Sequence, residues 1–190
     1  MSAAAAVCST SLGKVEITLR IISIVLCMGI VASAAIALSA ILSIEDVTDE
    51  YEDIGLYRSG AAWLIFAAGV GLIAESIIKI LRLLGVISDE NITVFGIVDA
   101  VISSLLAVSL LAGGAANAKF ASANAENYDN IEQFCEINGI NSQTEDFCND
   151  VKKLRDSEIA AAVLSFVGMV AFGVLALIMI VTYATKRGGK

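Results

Sequence analysis

The sequence contains no histidine and no proline, and only 17% of its 190 residues are charged. Histidine is the commonest general base and metal ligand, so its absence argues against histidine-based catalytic triads and zinc sites. No nucleophile–base pair or set of metal ligands stands out among the other residues. We therefore predict a non-enzymatic protein with no cofactor and no metal site. A formal charge of −8 argues against nucleic acid as a partner, because that role needs a basic surface.

The low charge is matched by a high apolar content of 57% and a mean hydropathy of +0.82. A soluble domain of this length would carry about 25% charged residues. A helix needs roughly 20 apolar residues to cross a bilayer core of about 30 Å. The chain has four such stretches, which predict spans at about 21–44, 59–84, 92–118 and 159–183.

These stretches predict one all-α domain over 1–190, a four-helix transmembrane bundle running antiparallel, up-down-up-down. The first stretch is about twice as long as the apolar core of a signal peptide, so we expect it to remain in the protein. Residues 45–58 and 119–158 would form two outer loops, and the alanine-rich start would be a short flexible tail.

The distribution of lysine and arginine predicts on which side of the membrane the termini lie. Seven bases fall on the side of both termini and the short turn near residue 88, and five fall on the opposite side. The seven lie in shorter segments that border the spans, where the positive-inside rule applies. Both termini are therefore expected in the cytoplasm, and the sequon Asn91-Ile92-Thr93 should remain without a glycan.

The four cysteines separate by position. Cys135 and Cys148 lie in the second outer loop, where an oxidising environment favours a disulfide over two free thiols. Such a bond should stabilise the loop by roughly 3 kcal/mol. Cys27 lies within the first span and fits apolar packing. Cys8 lies near the membrane in the cytoplasmic tail, where either palmitoylation or an unmodified thiol is compatible with the sequence.

Charged residues inside the spans are the sharpest local signal. Arg20, Glu75 and Asp99 all fall in the cytoplasmic third of the bilayer, at 1.5 Å of rise per helical residue. Ionisable groups at such depth are costly and usually face one another inside a bundle. We predict that Arg20 pairs with Asp99, with Glu75 nearby and supported by Lys79 one turn later. Three interpretations stay open: a structural clamp, a proton or ion path, and a ring formed only upon oligomerisation.

Small residues spaced four apart, or adjacent, give a second signal. This arrangement lets helix backbones approach closely in lipid, where packing drives association. Close packing within the bundle is the favoured interpretation, and a dedicated dimer face is the alternative. The positions concerned are Gly29, Ser33, Ala67, Gly71, Gly113, Gly114 and Gly168.

The layout resembles the MARVEL superfamily, the four-span proteins that include occludin, the synaptophysins and synaptogyrins, and the plant Casparian-strip-type proteins. The resemblance rests on internal termini, on Leu19-Arg20-Ile21-Ile22-Ser23 in the first span, on Gly96-Ile97-Val98-Asp99-Ala100 in the third, and on the cysteine pair. Arg20 and Asp99 take the positions of the hallmark arginine and aspartate of the Casparian-strip branch. We expect no counterpart of the long cytoplasmic tails of occludin and the synaptophysins, so the resemblance does not extend to partner binding through those tails.

This resemblance implies a tetraspan protein of the plasma membrane or secretory and vesicle membranes, with roles in membrane apposition and vesicle trafficking. We predict that it organises membrane subdomains or lateral assemblies by helix packing, with the second outer loop as its recognition surface. Its partners would be the lipid bilayer and either further copies of itself or other membrane proteins. The alternative is a small channel, a transporter or an accessory subunit of a larger complex.

Overall fold

The fold is described from a computed structural model over residues 3–45, 54–84, 92–137 and 142–187. Within these ranges the chain is helical except for turns at Leu84 and Asn124, which confirms the all-α prediction. The elements are α1 (Ala3–Glu45), α2 (Ile54–Leu83), α3 (Ile92–Ala123), α4 (Ala125–Ile137) and α5 (Ser142–Arg187).

Four of these helices are long and apolar enough to cross a membrane, which confirms the predicted number of spans. Helices are the form expected in lipid, because each backbone N–H and C=O is bonded within its own segment. The helical segments that meet the criterion are Lys14–Leu42, Gly60–Leu81, Val94–Ala123 and Glu145–Thr182.

The four long helices pack as an antiparallel bundle. The most extensive contacts join α5 to α3 and to α1, while α2 packs on α1 and α3. The chain therefore passes around the bundle in the order α1, α2, α3, α5. The start of α1 and the end of α5 lie at one end of the bundle, here called the terminal end. The short helix α4 lies at the other end, here called the hairpin end because α4 and the start of α5 form a helical hairpin there.

The buried face of α1 shows how the sequence specifies this packing. Its buried residues alternate in steps of three and four, the spacing that keeps one stripe of a helix against its neighbours in a bundle. In lipid such a stripe is held by close van der Waals packing rather than by exclusion of water. The stripe consists of Arg20, Ser23, Cys27, Ile30, Ala34, Ala37 and Ile41.

Most of the predicted small positions lie where two helices meet. Gly71 faces Cys27 and Phe172, Gly29 faces Leu164, and Gly168 lies between Leu110 and Ile30. An added Cβ at any of these three positions would be about as close as 3.0–3.1 Å to a neighbouring side-chain atom.

The two adjacent glycines of α3 face two different neighbouring helices. Gly113 faces Leu64 and Trp63 of α2, and Gly114 faces Ser165 of α5. Ala67 is buried in the core, and Ser33 is half-buried. These glycine contacts all lie within one chain, and they explain how the central helices approach so closely.

One expectation about the segments outside the predicted spans was wrong. The alanine-rich start is helical from Ala3, so it is not a flexible tail. The described parts of the predicted outer loop 119–158 are largely helical, since α3 continues to Ala123, α4 follows at once and α5 begins at Ser142. The reason is that no proline interrupts these stretches and a continuing helix keeps its backbone bonds satisfied. In the predicted loop 45–58, α2 already begins at Ile54, and residues 46–53 lie outside the described part.

Candidate functional site

Arg20 of α1 lies at the centre of an ion-pair cluster at the terminal end of the bundle. Its Nε donates to Glu16 Oε1 at 3.0 Å, and one terminal nitrogen donates to Glu75 Oε2 at 2.8 Å. The other terminal nitrogen donates to Asp99 Oδ2. A planar guanidinium with donors on three nitrogens suits this arrangement, whereas a lysine could not present the same fork.

The cluster joins three helices through one side chain. Glu16 lies one turn before Arg20 on α1, Glu75 comes from α2, and Asp99 comes from α3. The structure thus brings together the three charges that the sequence places at one depth. Lys79, which was expected to support Glu75, lies on the exposed side of α2.

The cluster is enclosed by protein. Arg20, Glu75 and Asp99 are all buried, and Glu16 is the member nearest to the surface. Ser23, one turn deeper on α1, is fully buried as well. Breaking a buried ion pair by removing one partner typically costs about 3–5 kcal/mol, because an uncompensated charge remains. The hydrogen bonds of this cluster connect α1 to α2 and to α3 at one level of the bundle.

A second polar group lies at the hairpin end, and sequence reasoning missed it. Glu158 of α5 is fully buried and accepts a hydrogen bond from the Tyr128 hydroxyl of α4 at 3.1 Å. Asn117 of α3 is also buried and donates to the carbonyl of Gly113 at 3.0 Å. The signal that could have revealed Glu158 is its spacing, since it falls four residues before the buried Ala162 on the same face of α5.

The hairpin is covalently closed. A disulfide joins Cys135 of α4 to Cys148 of α5, with a Cα–Cα distance of 6.2 Å, which confirms the predicted bond. Arg155 of α5 forms ion pairs with Asp129 at 3.3 Å and Glu132 at 2.9 Å of α4. These links hold the hairpin as one body.

The hairpin is also packed onto the bundle. An apolar cluster at its base combines residues of α1, α2, α4 and α5. Its buried members are Ala37, Ala40, Ile41, Ala61, Tyr128, Val151 and Leu154. The hairpin therefore rests on the transmembrane helices rather than extending freely from them.

The outer surface of α4 carries two exposed apolar side chains beside the disulfide. Phe134 is 52% exposed and Ile137 is 71% exposed, and both lie at the hairpin end, next to Cys135. On the membrane-spanning helices such exposure is expected from contact with lipid. The other exposed residues of α4 are largely polar.

An apolar middle section separates the two polar groups. It contains the fully buried side chains Ile30, Leu64, Leu110, Phe172 and Leu175, together with Cys27, whose predicted apolar packing is confirmed. The stretches 21–44, 59–74, 100–118 and 159–185 carry no charged residue. The charged residues of the four long helices therefore lie towards the two ends of the bundle, outside these stretches.

Across 3–45, 54–84, 92–137 and 142–187, no group of three or more His, Cys, Asp or Glu side chains is arranged to hold a metal ion. The side chain of Cys8, the candidate for palmitoylation, lies outside the described residues.

Comparison of the chain with protein-family models, with curated proteins and with solved structures gives no match in any of the three.

Proposed function

We propose that this four-span membrane protein is a non-enzymatic organiser of membrane subdomains or lateral assemblies. The observation that carries the proposal is the confinement of charge to the two ends of the bundle, with a packed apolar section between them. A bundle of this kind is a stable body whose outer faces meet lipid and other proteins. An ion path would need polar groups through the thickness of the membrane.

In this proposal the Arg20 cluster is a structural clamp. Two of its three hydrogen bonds tie α1 to α2 and to α3 at one level, and the third joins Arg20 to Glu16 within α1. The clamp interpretation is favoured over a path because Phe172, Ile30 and Leu110 fill the space between this cluster and the opposite end. The clamp would maintain a fixed outer shape, which is what lateral packing requires.

The hairpin is proposed as the recognition surface. Its disulfide and the ion pairs of Arg155 limit its motion, so a partner would meet a preorganised surface at low entropic cost. Phe134 and Ile137 would provide the apolar contact at its centre. Aromatic and apolar anchors of this kind carry most of the energy in protein interfaces.

The orientation is proposed from two independent features. The bases that border the spans favour cytoplasmic termini. The disulfide favours an oxidising compartment for the hairpin end. Both features agree with a protein of the plasma membrane or secretory and vesicle membranes. The resemblance to the MARVEL superfamily through Arg20 and Asp99 is part of the same proposal.

Lateral assembly can be tested in reconstituted bilayers. The full chain, labelled singly at its amino terminus, would be placed in vesicles at low density and imaged by single-molecule photobleaching. We expect several bleaching steps per spot that persist after about tenfold dilution with lipid. The variant Phe134→Ser/Ile137→Ser should reduce the number of steps, while the matched variant Gln133→Ala on the same helix should not. Single steps for the unaltered protein would contradict the assembly proposal.

The alternative of a channel or transporter is tested on the same vesicles. We expect no ion or proton flux above that of protein-free vesicles. Flux that is present in the unaltered protein and lost in Asp99→Asn, with the bundle still folded, would replace the proposed role by transport. Isolation of the protein with one copy among unrelated subunits would instead indicate an accessory role.

A further inference from the structure

We propose that a single water molecule binds on the inner side of the Arg20 cluster, where it bridges the Ser23 hydroxyl of α1 and the Asp99 carboxyl group of α3. This goes beyond a role in lateral organisation, because it assigns a ligand to the interior of the bundle. The water gives α1 and α3 a second polar link, deeper in the bundle than the hydrogen bond between Arg20 and Asp99.

Two polar atoms at this place have no hydrogen-bond partner among the residues that the structure describes. They are Ser23 Oγ and Asp99 Oδ1, and both atoms are buried. Ser23 is fully buried as a residue, and Asp99 is only 4% exposed. The other carboxyl oxygen of Asp99, Oδ2, accepts from Arg20. Because buried polar atoms are nearly always paired with protein groups or with ordered water, each of the two atoms needs a partner.

Ser23 differs from several other hydroxyl side chains of the long helices. Ser104, Ser165 and Thr182 each donate to the carbonyl oxygen four residues earlier in their own helix. This is a common way in which a helix satisfies a hydroxyl group. Within the described chain the Ser23 hydroxyl makes no such bond. It is therefore available to a ligand in the bundle interior.

The register of the helices places Ser23 close in level to Asp99. Cys27 of α1 and Leu106 of α3 lie at one level, because a Cβ built on a single glycine of α2 would lie 3.1 Å from the first and 3.7 Å from the second. Arg20 and Asp99 each come seven residues before these positions, which agrees with their hydrogen bond. Ser23 lies about 4.5 Å beyond Arg20 along α1, toward the interior. A water can bridge two polar groups that are too far apart for a direct hydrogen bond.

The side chains that α1 and α3 turn toward each other at this level are short. These two helices are diagonal in the bundle, with α2 and α5 between them. Opposite Ser23, α3 presents the buried Ser103, three residues before Leu106. In the apolar middle section the corresponding buried positions are filled by Ile30 and Leu110. The volume that the two serines leave suits one water, whose share of liquid volume is about 30 Å³.

A water molecule matches the two atoms in hydrogen-bonding capacity. It accepts from the Ser23 hydroxyl and donates to Asp99 Oδ1, and the Ser103 hydroxyl can accept its second hydrogen. Buried waters typically make about three such bonds. A water is also neutral, whereas a cation here would lie close to the Arg20 guanidinium that contacts Asp99 and would be repelled by it.

Water-edited solid-state NMR of the full chain in lipid bilayers tests the proposal. In this experiment magnetisation passes from water protons to nearby ¹³C nuclei. We expect early transfer to Ser23 Cβ and Asp99 Cγ in protein labelled at serine and aspartate. Ser165 is the matched control, because it is equally buried but donates to its own helix, and its Cβ should receive magnetisation late. Late transfer to both Ser23 and Asp99 would overturn the proposal.

A substitution separates a bridging water from general hydration of this end of the bundle. Ser23→Ala removes one of the two partners, so the early transfer to Asp99 Cγ should be lost. Ser104→Ala on α3 removes a hydroxyl that bonds within its own helix and should leave the transfer unchanged. Early transfer to Asp99 that persists in Ser23→Ala overturns the bridge. If Ser23→Ala does not fold, the unaltered protein decides: early transfer at Ser23 with late transfer at Ser165 supports the site, and late transfer at both overturns it.

Discussion

Tyr128 of α4 donates its hydroxyl hydrogen to Glu158 of α5, and this bond joins the hairpin to a carboxyl group that is completely buried at the end of the bundle. The bond connects residues that are 30 positions apart. Through this bond α4 packs against the end of the bundle. The contribution of this bond to the free energy of unfolding can be measured by substitution.

We expect Tyr128→Phe to destabilise the protein by about 1–3 kcal/mol, since the substitution removes a donor from a buried acceptor and keeps the ring in its apolar cluster. Thermal unfolding in detergent, followed by circular dichroism, measures the change. Glu126→Gln, at an exposed position of the same helix, is the control and should stay within about 0.5 kcal/mol. Equal stability of the two variants would show that the bond does not hold α4 in place.

Arg20→Ala should cost about 3–5 kcal/mol, because it removes the cation that both Glu75 and Asp99 contact. Asp99→Ala should cost less, because Arg20 keeps its contacts with Glu16 and Glu75. The exchange variant Arg20→Asp/Asp99→Arg should recover part of this loss, since opposite charges again face each other across α1 and α3. Yield of monodisperse protein and the unfolding midpoint report the result. Lys153→Ala, which removes an exposed ion pair, serves as the control. An exchange variant no better than the single variants would argue against a pairwise clamp.

Gly113 and Gly173 form a matched pair for testing close packing. A Cβ at Gly113 would lie 2.9 Å from Leu64 Cγ and closer still to one of its methyl groups, whereas a Cβ at Gly173 would meet nothing within 4 Å. Gly113→Ala should therefore destabilise by about 1–3 kcal/mol. Gly173→Ala should be neutral or stabilise by up to about 1 kcal/mol, because alanine favours helix.

A compensating change completes that test. The double variant Gly113→Ala/Leu64→Ala should show a favourable coupling energy, because the space taken by one methyl group is returned by the loss of the leucine side chain. The unfolding midpoints of the single and double variants give this coupling. Additive losses would mean that the contact between α2 and α3 at this level relaxes without strain.

The proposed orientation predicts where glycans attach. In cells that glycosylate secretory proteins, Asn91 should stay bare despite its sequon. The substitution Gln143→Thr creates a new sequon that begins at Asn141, between α4 and α5 in the sequence, and Asn141 should then gain a glycan. A shift in gel mobility that is removed by an N-glycosidase gives the answer. A glycan on Asn91 and none on Asn141 would invert the proposed topology.

The number of spans and the Arg20 cluster could be predicted from the sequence because both depend on simple physical costs. Long uncharged runs have few alternatives to a membrane helix, and charged residues within such runs need partners. Arg20, Glu75 and Asp99 also fall at one calculated depth, so geometry alone brings them together. The disulfide was predictable because Cys135 and Cys148 are close in sequence and on one side of the membrane.

The polar group at the hairpin end could not be foreseen in the same way. Glu158 directly precedes an uncharged run, where a charged residue commonly serves as a solvated flank. It is buried because α4 packs over it, and this depends on the helices that the structure describes within 125–137 and 142–158. Ser23 and Asn117 gave no signal, since neutral polar residues are common in membrane helices and their burial depends on the exact rotation of each helix.

The unbroken course of α5 has a mechanical consequence. The helix continues for 46 residues, and at 1.5 Å per residue the portion from Ser142 to Glu158 reaches about 25 Å beyond the buried glutamate. A tilt of about 10° in the bilayer would thus displace the tip of the hairpin sideways by roughly 4 Å, since no hinge absorbs the rotation. A change in bilayer thickness or lateral pressure that tilts α5 would therefore move the tip of the hairpin sideways, together with any molecule in contact with it.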